Sequence, residues 1–186
     1  MRPTSALLGA AVLASAFATL PAQAQPAPAR PAAPAGPVQI VSQGSWAAFS
    51  VNDPRGRFCY AISTPTSANP PATPPRRDPT NLFITARPRQ NVRNEISIII
   101  GYVFQPNSQV TIEITGGAQP ARFNMFTRDR SAFVENAAQE TQMIAAMRSG
   151  RELVVRGTSS RGTATTDRYA LAGIAAVLDR MATECR

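Results

Sequence analysis

Residues 150–185 read GRELVVRGTSSRGTATTDRYALAGIAAVLDRMATEC. Leu153, Val154 and Val155 form an apolar strand that runs into the polar turn Ser159-Ser160-Arg161-Gly162, and a Thr-rich strand from Thr163 to Leu171 follows. Two extended runs joined by a short polar loop with glycine at its end predict an antiparallel hairpin. Beyond it, Ile174, Val177, Leu178 and Met181 recur at i, i+3, i+4 and i+7, which predicts an amphipathic helix. Cys185 falls at i+11, on the same buried stripe. The only other cysteine is Cys59, so this helix is placed to tie the chain's end to its first strands.

Upstream of the hairpin, Asn136 at the N-cap with Gln139 three residues on resembles a capping box. Glu140 suits the positive end of a helix, Arg148 the negative end, and Gly150 terminates it. Met143, Ile144 and Met147 supply its apolar face. Before this helix, β-branched and aromatic runs punctuated by turn residues predict strands over Ser45 to Val51, Arg57 to Ile62, Asn81 to Arg87, Glu95 to Phe104 and Val110 to Ile114. Shorter strands are predicted at Arg122 to Phe126 and Leu153 to Thr158. The run from Ile96 to Phe104 is apolar on both alternating faces and reads as a central strand covered on each side. The fold class is mainly β, a sandwich or open barrel, with one internal helix and a C-terminal helix.

Met1 to Ala24 has a basic start, an apolar run from Ala6 to Leu20 and the small-x-small site Ala22-Gln23-Ala24, the pattern of a cleaved secretory signal peptide. The apolar run is shorter than the ~20 residues a membrane-spanning helix needs, so an integral membrane protein is not expected. Residues 25–37 alternate proline with alanine and read as an extended linker. Residues 38–186 are the size of one domain. Export permits a disulfide, and two cysteines allow one intramolecular pairing, Cys59 with Cys185. Two buried thiols are the alternative.

Every basic residue is arginine, and the net charge is +8. Such a field favours acidic partners, because guanidinium groups fork onto carboxylate and phosphate. Export and an aromatic content of 6% count against nucleic acid, which needs stacking platforms. An acidic lipid of the envelope, or an acidic glycan on another cell's surface, fits a periplasmic or secreted protein better. The segment Ser63 to Thr80 is rich in proline, reads as a structureless loop, and holds Arg76 and Arg77. Together with Arg87, Arg89, Arg93 and Arg161 these form a candidate anion or partner surface, the alternative being ordinary solvated charge.

The absence of histidine removes Ser-His and Cys-His pairs and histidine-ligated zinc. The absence of lysine removes Schiff-base chemistry and the phosphate-loop lysine. No cofactor fingerprint is present. What survives is carboxylate chemistry, for instance between Asp78 and Glu95, and each of these also reads as a surface partner for a nearby arginine. Thr158, Ser159, Arg161, Thr163, Thr165, Thr166 and Asp167 are either a small anion or glycan site or the hydroxyl chemistry of a hairpin. A non-enzymatic interaction role at the envelope or cell surface is expected, with a periplasmic housekeeping or stress protein as one alternative and a carboxylate-based hydrolase as the other.

Trp46, Cys59-Tyr60, Arg77-Asp78-Pro79, Phe83-Ile84, Arg87-Pro88, Asn94-Glu95-Ile96-Ser97 and Gly101-Tyr102 follow one another in an order that resembles the invasion-associated locus B family. Met147-Arg148-Ser149-Gly150, Gly157-Thr158-Ser159, Arg161-Gly162-Thr163, Thr166-Asp167, Tyr169, Leu171, Gly173 and Cys185 continue the resemblance, which spans about Trp46 to Cys185. It implies an exported alphaproteobacterial envelope protein, of a kind whose founding members are linked with entry into host cells. It implies no catalytic residue and no cofactor. Many relatives have tryptophan where Phe133 stands, so an aromatic anchor is kept without its indole donor.

Overall fold

The computed structural model describes residues 36–71 and 77–186. The expected signal peptide, most of the expected linker and Arg76 lie outside the described residues.

The strands are β1 (Val38–Gln43), β2 (Trp46–Asp53), β3 (Gly56–Ser63), β4 (Ser67–Asn69), β5 (Asn81–Arg87), β6 (Val92–Ile99), β7 (Gln109–Thr115), β8 (Ala121–Arg128), β9 (Ser131–Phe133), β10 (Glu152–Thr158) and β11 (Ala164–Ala170). The helices are α1 (Ala137–Ser149) and α2 (Ile174–Glu184). All eleven strands belong to one antiparallel sheet in the order β1-β2-β3-β5-β6-β9-β8-β7-β10-β11-β4, whose ends do not join. The mainly β expectation is met by this single open sheet with its two helices. The sheet curls strongly, since the Trp46 indole at the start of β2 donates a 2.8 Å hydrogen bond to the carbonyl of Ala170 at the end of β11.

Strict alternation sets the inner face. Trp46, Ala48 and Ser50 of β2 are buried while Ala47, Phe49 and Val51 are half-exposed, and the same period puts Cys59 and Ala61, Leu82 and Ile84, and Ile96 and Ile98 inside. Val110, Ile112 and Ile114 of β7 and Leu153 and Val155 of β10 complete one continuous core. Burying each such aliphatic side chain contributes about 1.5–3 kcal/mol. α2 lies across β1, β2 and β3, and α1 across β6 and β8. Ile174, Val177, Leu178 and Met181 are all buried, as the periodicity predicts. Cys185, just past α2, is bonded to Cys59 of β3 with a Cα–Cα distance of 6.0 Å.

Both the hairpin and the internal helix form. β10 and β11 pair from Glu152 opposite Ala170 to Thr158 opposite Ala164. The backbone N–H of Thr163 donates to the Ser159 hydroxyl at 3.1 Å across the turn. At α1 the Asn136 side chain accepts from the Gln139 backbone N–H at 3.0 Å. Gln139 reaches back to the N–H of Glu135 at 3.4 Å, one residue earlier than a capping box requires.

The long central strand does not form as expected. β6 ends at Ile99, which is 41% exposed, and Val103 is 44% exposed, so the run is not covered on both faces. Beyond Ile99 the backbone turns away because Gly101 adopts φ +79° and lies so close to the preceding loop that a Cβ there would stand 2.0 Å from the Asp78 carbonyl. Only glycine fits such a position. Asp78 N–H donates to the Gly101 carbonyl at 3.1 Å, and Phe104 is left as an isolated bridge to Ser159. The proline-rich segment is likewise not structureless throughout. Its residues Ser67–Asn69 form β4, which pairs with β11 opposite Arg168, Asp167 and Thr166. β1 and the three-residue β9 also go beyond the predicted strands.

Two outcomes follow from this architecture. The Cys59–Cys185 bond closes a separation of 126 residues, so reduction should lower the unfolding free energy by about 5 kcal/mol, read as a fall in the urea midpoint with and without reductant. Gly101→Ala should cost more than the ~1–2 kcal/mol of a left-handed alanine, because backbone must also move; the same urea titration checks it.

Candidate functional site

Of the arginines expected at an anion surface, Arg77 is not on the surface. It is 3% exposed, and Asp167, which faces it from β11, is fully buried. Its Nη1 donates to Asp167 Oδ1 at 2.7 Å, Nη2 pairs with Oδ2, and Nε donates to the Ile100 carbonyl at 2.8 Å. The guanidinium also lies 5.1 Å from the centre of the Tyr102 ring. Arg77 therefore serves the interior as a forked ion pair, because the inward alternation of β11 buries a carboxylate at Asp167 and only a charge-assisted partner satisfies one there.

A polar network surrounds this pair. The Thr165 hydroxyl donates to the Gly157 carbonyl at 3.3 Å and so accepts from the Tyr102 hydroxyl, 2.6 Å away. Thr80 donates to the Ile99 carbonyl at 2.9 Å and accepts from Tyr169 at 3.3 Å. Burial raises the Asp167 carboxyl above the usual carboxylate range, while the hydrogen bonds and charge of Arg77 draw it back down. Burial likewise raises both tyrosines, Tyr169 the further. The polar set of the β10–β11 hairpin thus divides: Thr165 and Asp167 of β11 are inside, and Arg161 and Thr163 of the turn are exposed.

Arg87, Arg89 and Arg93 are brought together at the connection between β5 and β6, a single 3-10 turn over Pro88–Gln90 closed by Asn91 at φ 56°. Two concavities flank it. On one side a depression of about 500 Å3 is lined by Arg55, Arg57, Arg87 and Arg89 with Phe58, Asp53 and Glu95. Arg87 pairs with Glu95 at 3.0 Å, and Arg57 pairs with Glu184 of α2. Arg89 lies over Gly56, where a Cβ would stand 2.4 Å from its Cδ. On the other side a cleft of about 590 Å3 is lined by Arg93, Arg148 and Arg186 above an apolar floor. Arg55, Arg57, Arg148 and Arg186 were not among the residues expected here, since they arrive from the β2–β3 hairpin, from α1 and from the chain beyond α2 and share no stretch of sequence with the β5–β6 turn.

Arg161 does not join this group. It lines a separate depression of about 290 Å3 at the β10–β11 turn with Arg130, Asp78, Ser159 and Ser160. Asp78 pairs with Arg130 at 2.7 Å, not with its sequence neighbours. Asp78 and Glu95 are thus each held by a different arginine. On the outer face of β2, β3 and β5, Phe49 stacks on Tyr60 at 5.4 Å between ring centres, and Phe58 and Phe83 flank Tyr60 at 6.4 and 6.1 Å. This half-exposed aromatic cluster runs toward the depression through Phe58. Phe133 packs on Phe126 at 5.7 Å.

The family model described as Invasion associated locus B (IalB) protein matches residues 46–182. Among solved structures, the chain is similar to invasion associated protein B from Bartonella henselae, with a TM-score of 0.57 and 13% identity over 79% of this chain and 96% of that one. At that identity the likeness is one of fold. No curated protein matches. Among the described residues no helix is long and apolar enough to cross a membrane.

Removing one member of the buried pair strands the other. Asp167→Ala or Arg77→Ala should each destabilise by about 3–5 kcal/mol, and the double Arg77→Met, Asp167→Leu substitution should recover much of that loss. Thermal unfolding of the four proteins decides it, and equal losses in singles and double would contradict the assignment.

Proposed function

The chain belongs to the invasion associated locus B family, and on that footing we propose that it is an exported, non-enzymatic interaction protein of the cell envelope that binds an anionic lipid surface through the β5–β6 turn. Residues 1–24 direct export and are removed, residues 25–37 tether the domain, and the mature protein is periplasmic or surface-associated. The disulfide supports an oxidising compartment.

The observation that carries the reading is the distribution of paired charge. Among the described residues Arg55, Arg89, Arg93, Arg128, Arg151, Arg161, Arg180 and Arg186 make no ion pair, whereas most carboxylates are taken. Three of these unpaired arginines, Arg55, Arg89 and Arg93, gather at the β5–β6 turn. Phe49, Phe58, Tyr60 and Phe83 beside them favour a lipid headgroup layer over a glycan, since amphipathic rings suit an apolar-to-wet boundary. The absence of histidine and lysine, and the capture of Asp78 and Glu95 in separate ion pairs, support a binding role over a catalytic one.

Cosedimentation with phosphatidylglycerol vesicles tests this, with phosphatidylcholine vesicles and an acidic polysaccharide run alongside. Arg89→Glu with Arg93→Glu should weaken phosphatidylglycerol binding by about tenfold, and added salt should weaken it further. Binding indifferent to both would overturn the mechanism; preference for the polysaccharide would transfer it to a glycan. Protease accessibility on intact cells places the domain: cleavage puts it outside, where contact with a host is possible, and protection puts it in the periplasm as a housekeeping protein.

A further inference from the structure

The cleft on the far side of the β5–β6 turn has a shape and chemistry that a flat lipid surface does not use. α1 and α2 are joined at one end, where Arg148 Nη2 donates to Asp179 at 2.8 Å and Nη1 reaches the Ala175 carbonyl at 3.5 Å. Beside that junction they leave a cavity of about 590 Å3, inside the ~300–1,000 Å3 range of small-molecule sites. Ala86, Ile144, Leu178 and Met181 line it, each less than a tenth exposed, so its floor is core side chain. Arg93, Arg148 and Arg186 also line it, with Asn91 and Asn94 as neutral polar residues. Among the described residues the one acidic side chain paired with these arginines is Asp179, held by Arg148. Arg93 and Arg186 have no carboxylate partner among the described residues.

An apolar floor under unpaired arginines is complementary to one kind of ligand. We propose that this cleft binds a single-chain anionic amphiphile, a fatty acid or a lysophospholipid, with its acyl chain on Ile144, Leu178 and Met181 and its carboxylate or phosphate on Arg93 and Arg186. The chain gains the hydrophobic contribution of each methylene removed from water, about 0.8 kcal/mol. The head group gains charge-assisted hydrogen bonds from forked donors that a lysine would supply only as a point charge. Cys185 forms part of the wall, so its bond to Cys59 holds α2 at the distance that keeps the cleft open. The proposal rests on the reading that the partner is an anionic lipid and narrows it from a surface to one molecule.

Titration calorimetry of the intact mature protein with dodecanoate and with lysophosphatidylglycerol, both kept below their micelle concentrations, tests it, with dodecanol as the uncharged control. Saturable one-to-one binding is expected for at least one anionic amphiphile, and which of them binds more tightly identifies the carboxylate or the phosphate source. Dodecanol should bind at least tenfold more weakly. Arg93→Glu should weaken binding by tenfold or more, and Ala182→Trp should abolish it by filling the cleft from an exposed position. Both sites are exposed and unpaired, and unchanged thermal midpoints confirm that the variants fold. No saturable binding of either amphiphile, or equal binding by wild type and both variants, overturns the proposal. Phosphatidylglycerol vesicle binding by the wild type and by Ala182→Trp separates the two readings: if it persists while the amphiphiles fail, the cleft is wrong and the surface stands.

Discussion

Eleven antiparallel strands in one open sheet bury little unless the sheet closes over itself, and the Arg77–Asp167 pair sits where it does so. Asp167 lies on β11, next to the edge strand β4, while Arg77 lies in the segment entering β5 near the opposite half of the sheet order. A forked pair at this point joins the two halves through donors of fixed geometry, and the cost of desolvating both charges is met only if every oxygen and N–H finds its partner. Arg77 also takes the Ile100 carbonyl, an acceptor freed where β6 ends. The backbone turn at Gly101 and the buried charge therefore require each other: without the turn the carbonyl would be spent in the sheet, and without the arginine it would be buried unsatisfied.

α2 works against the other end of the sheet. Its apolar stripe covers β1 to β3, and the Trp46 indole and Ser45 hydroxyl both donate to the Ala170 carbonyl just before the helix begins. The β1–β2 turn and the β11–α2 junction are packed so closely that Gly44 and Gly173, both at positive φ, each face a carbonyl within 2.8 Å of where a Cβ would stand. The disulfide then fixes the helix's far end. A helix held at both ends is a rigid wall, and rigidity is what a cleft with a fixed rim requires.

Local patterning made most of the fold legible. β-Branched and aromatic runs between turn residues located β2, β3, β5, β7 and β10, capping residues located α1, the 3.6-residue period located α2, and the placement of Cys185 on the α2 stripe pointed to Cys59. Alternation failed at Ile96 to Phe104 because hydrophobicity is blind to backbone course: Ile98 and Ile100 are buried on two sides of a bend, and the glycine that allows the bend is one letter among apolar neighbours. β4 was hidden for a related reason, since Ser67, Ala68 and Asn69 carry no strand propensity and pair because β11 presents an open edge.

The candidate site was legible only in part, and arginine explains why. In a chain whose every cation is arginine, adjacent arginines in sequence say nothing about which are available, because availability is decided by carboxylates brought from elsewhere. Arg77 is neutralised by a residue 90 positions away, Arg87 by one on the neighbouring strand, and Arg93 by none among the described residues. Arg87, Arg89 and Arg93 stay near one another because a hairpin turn keeps near residues near. Sequence proximity could not add Arg148 and Arg186, which reach the same turn only because α1 packs on β6 and the disulfide draws the chain's end to β3. The bond that closes the domain is thus also what brings Arg186 to this cleft, so the fold's stability and the cleft's geometry depend on one covalent link.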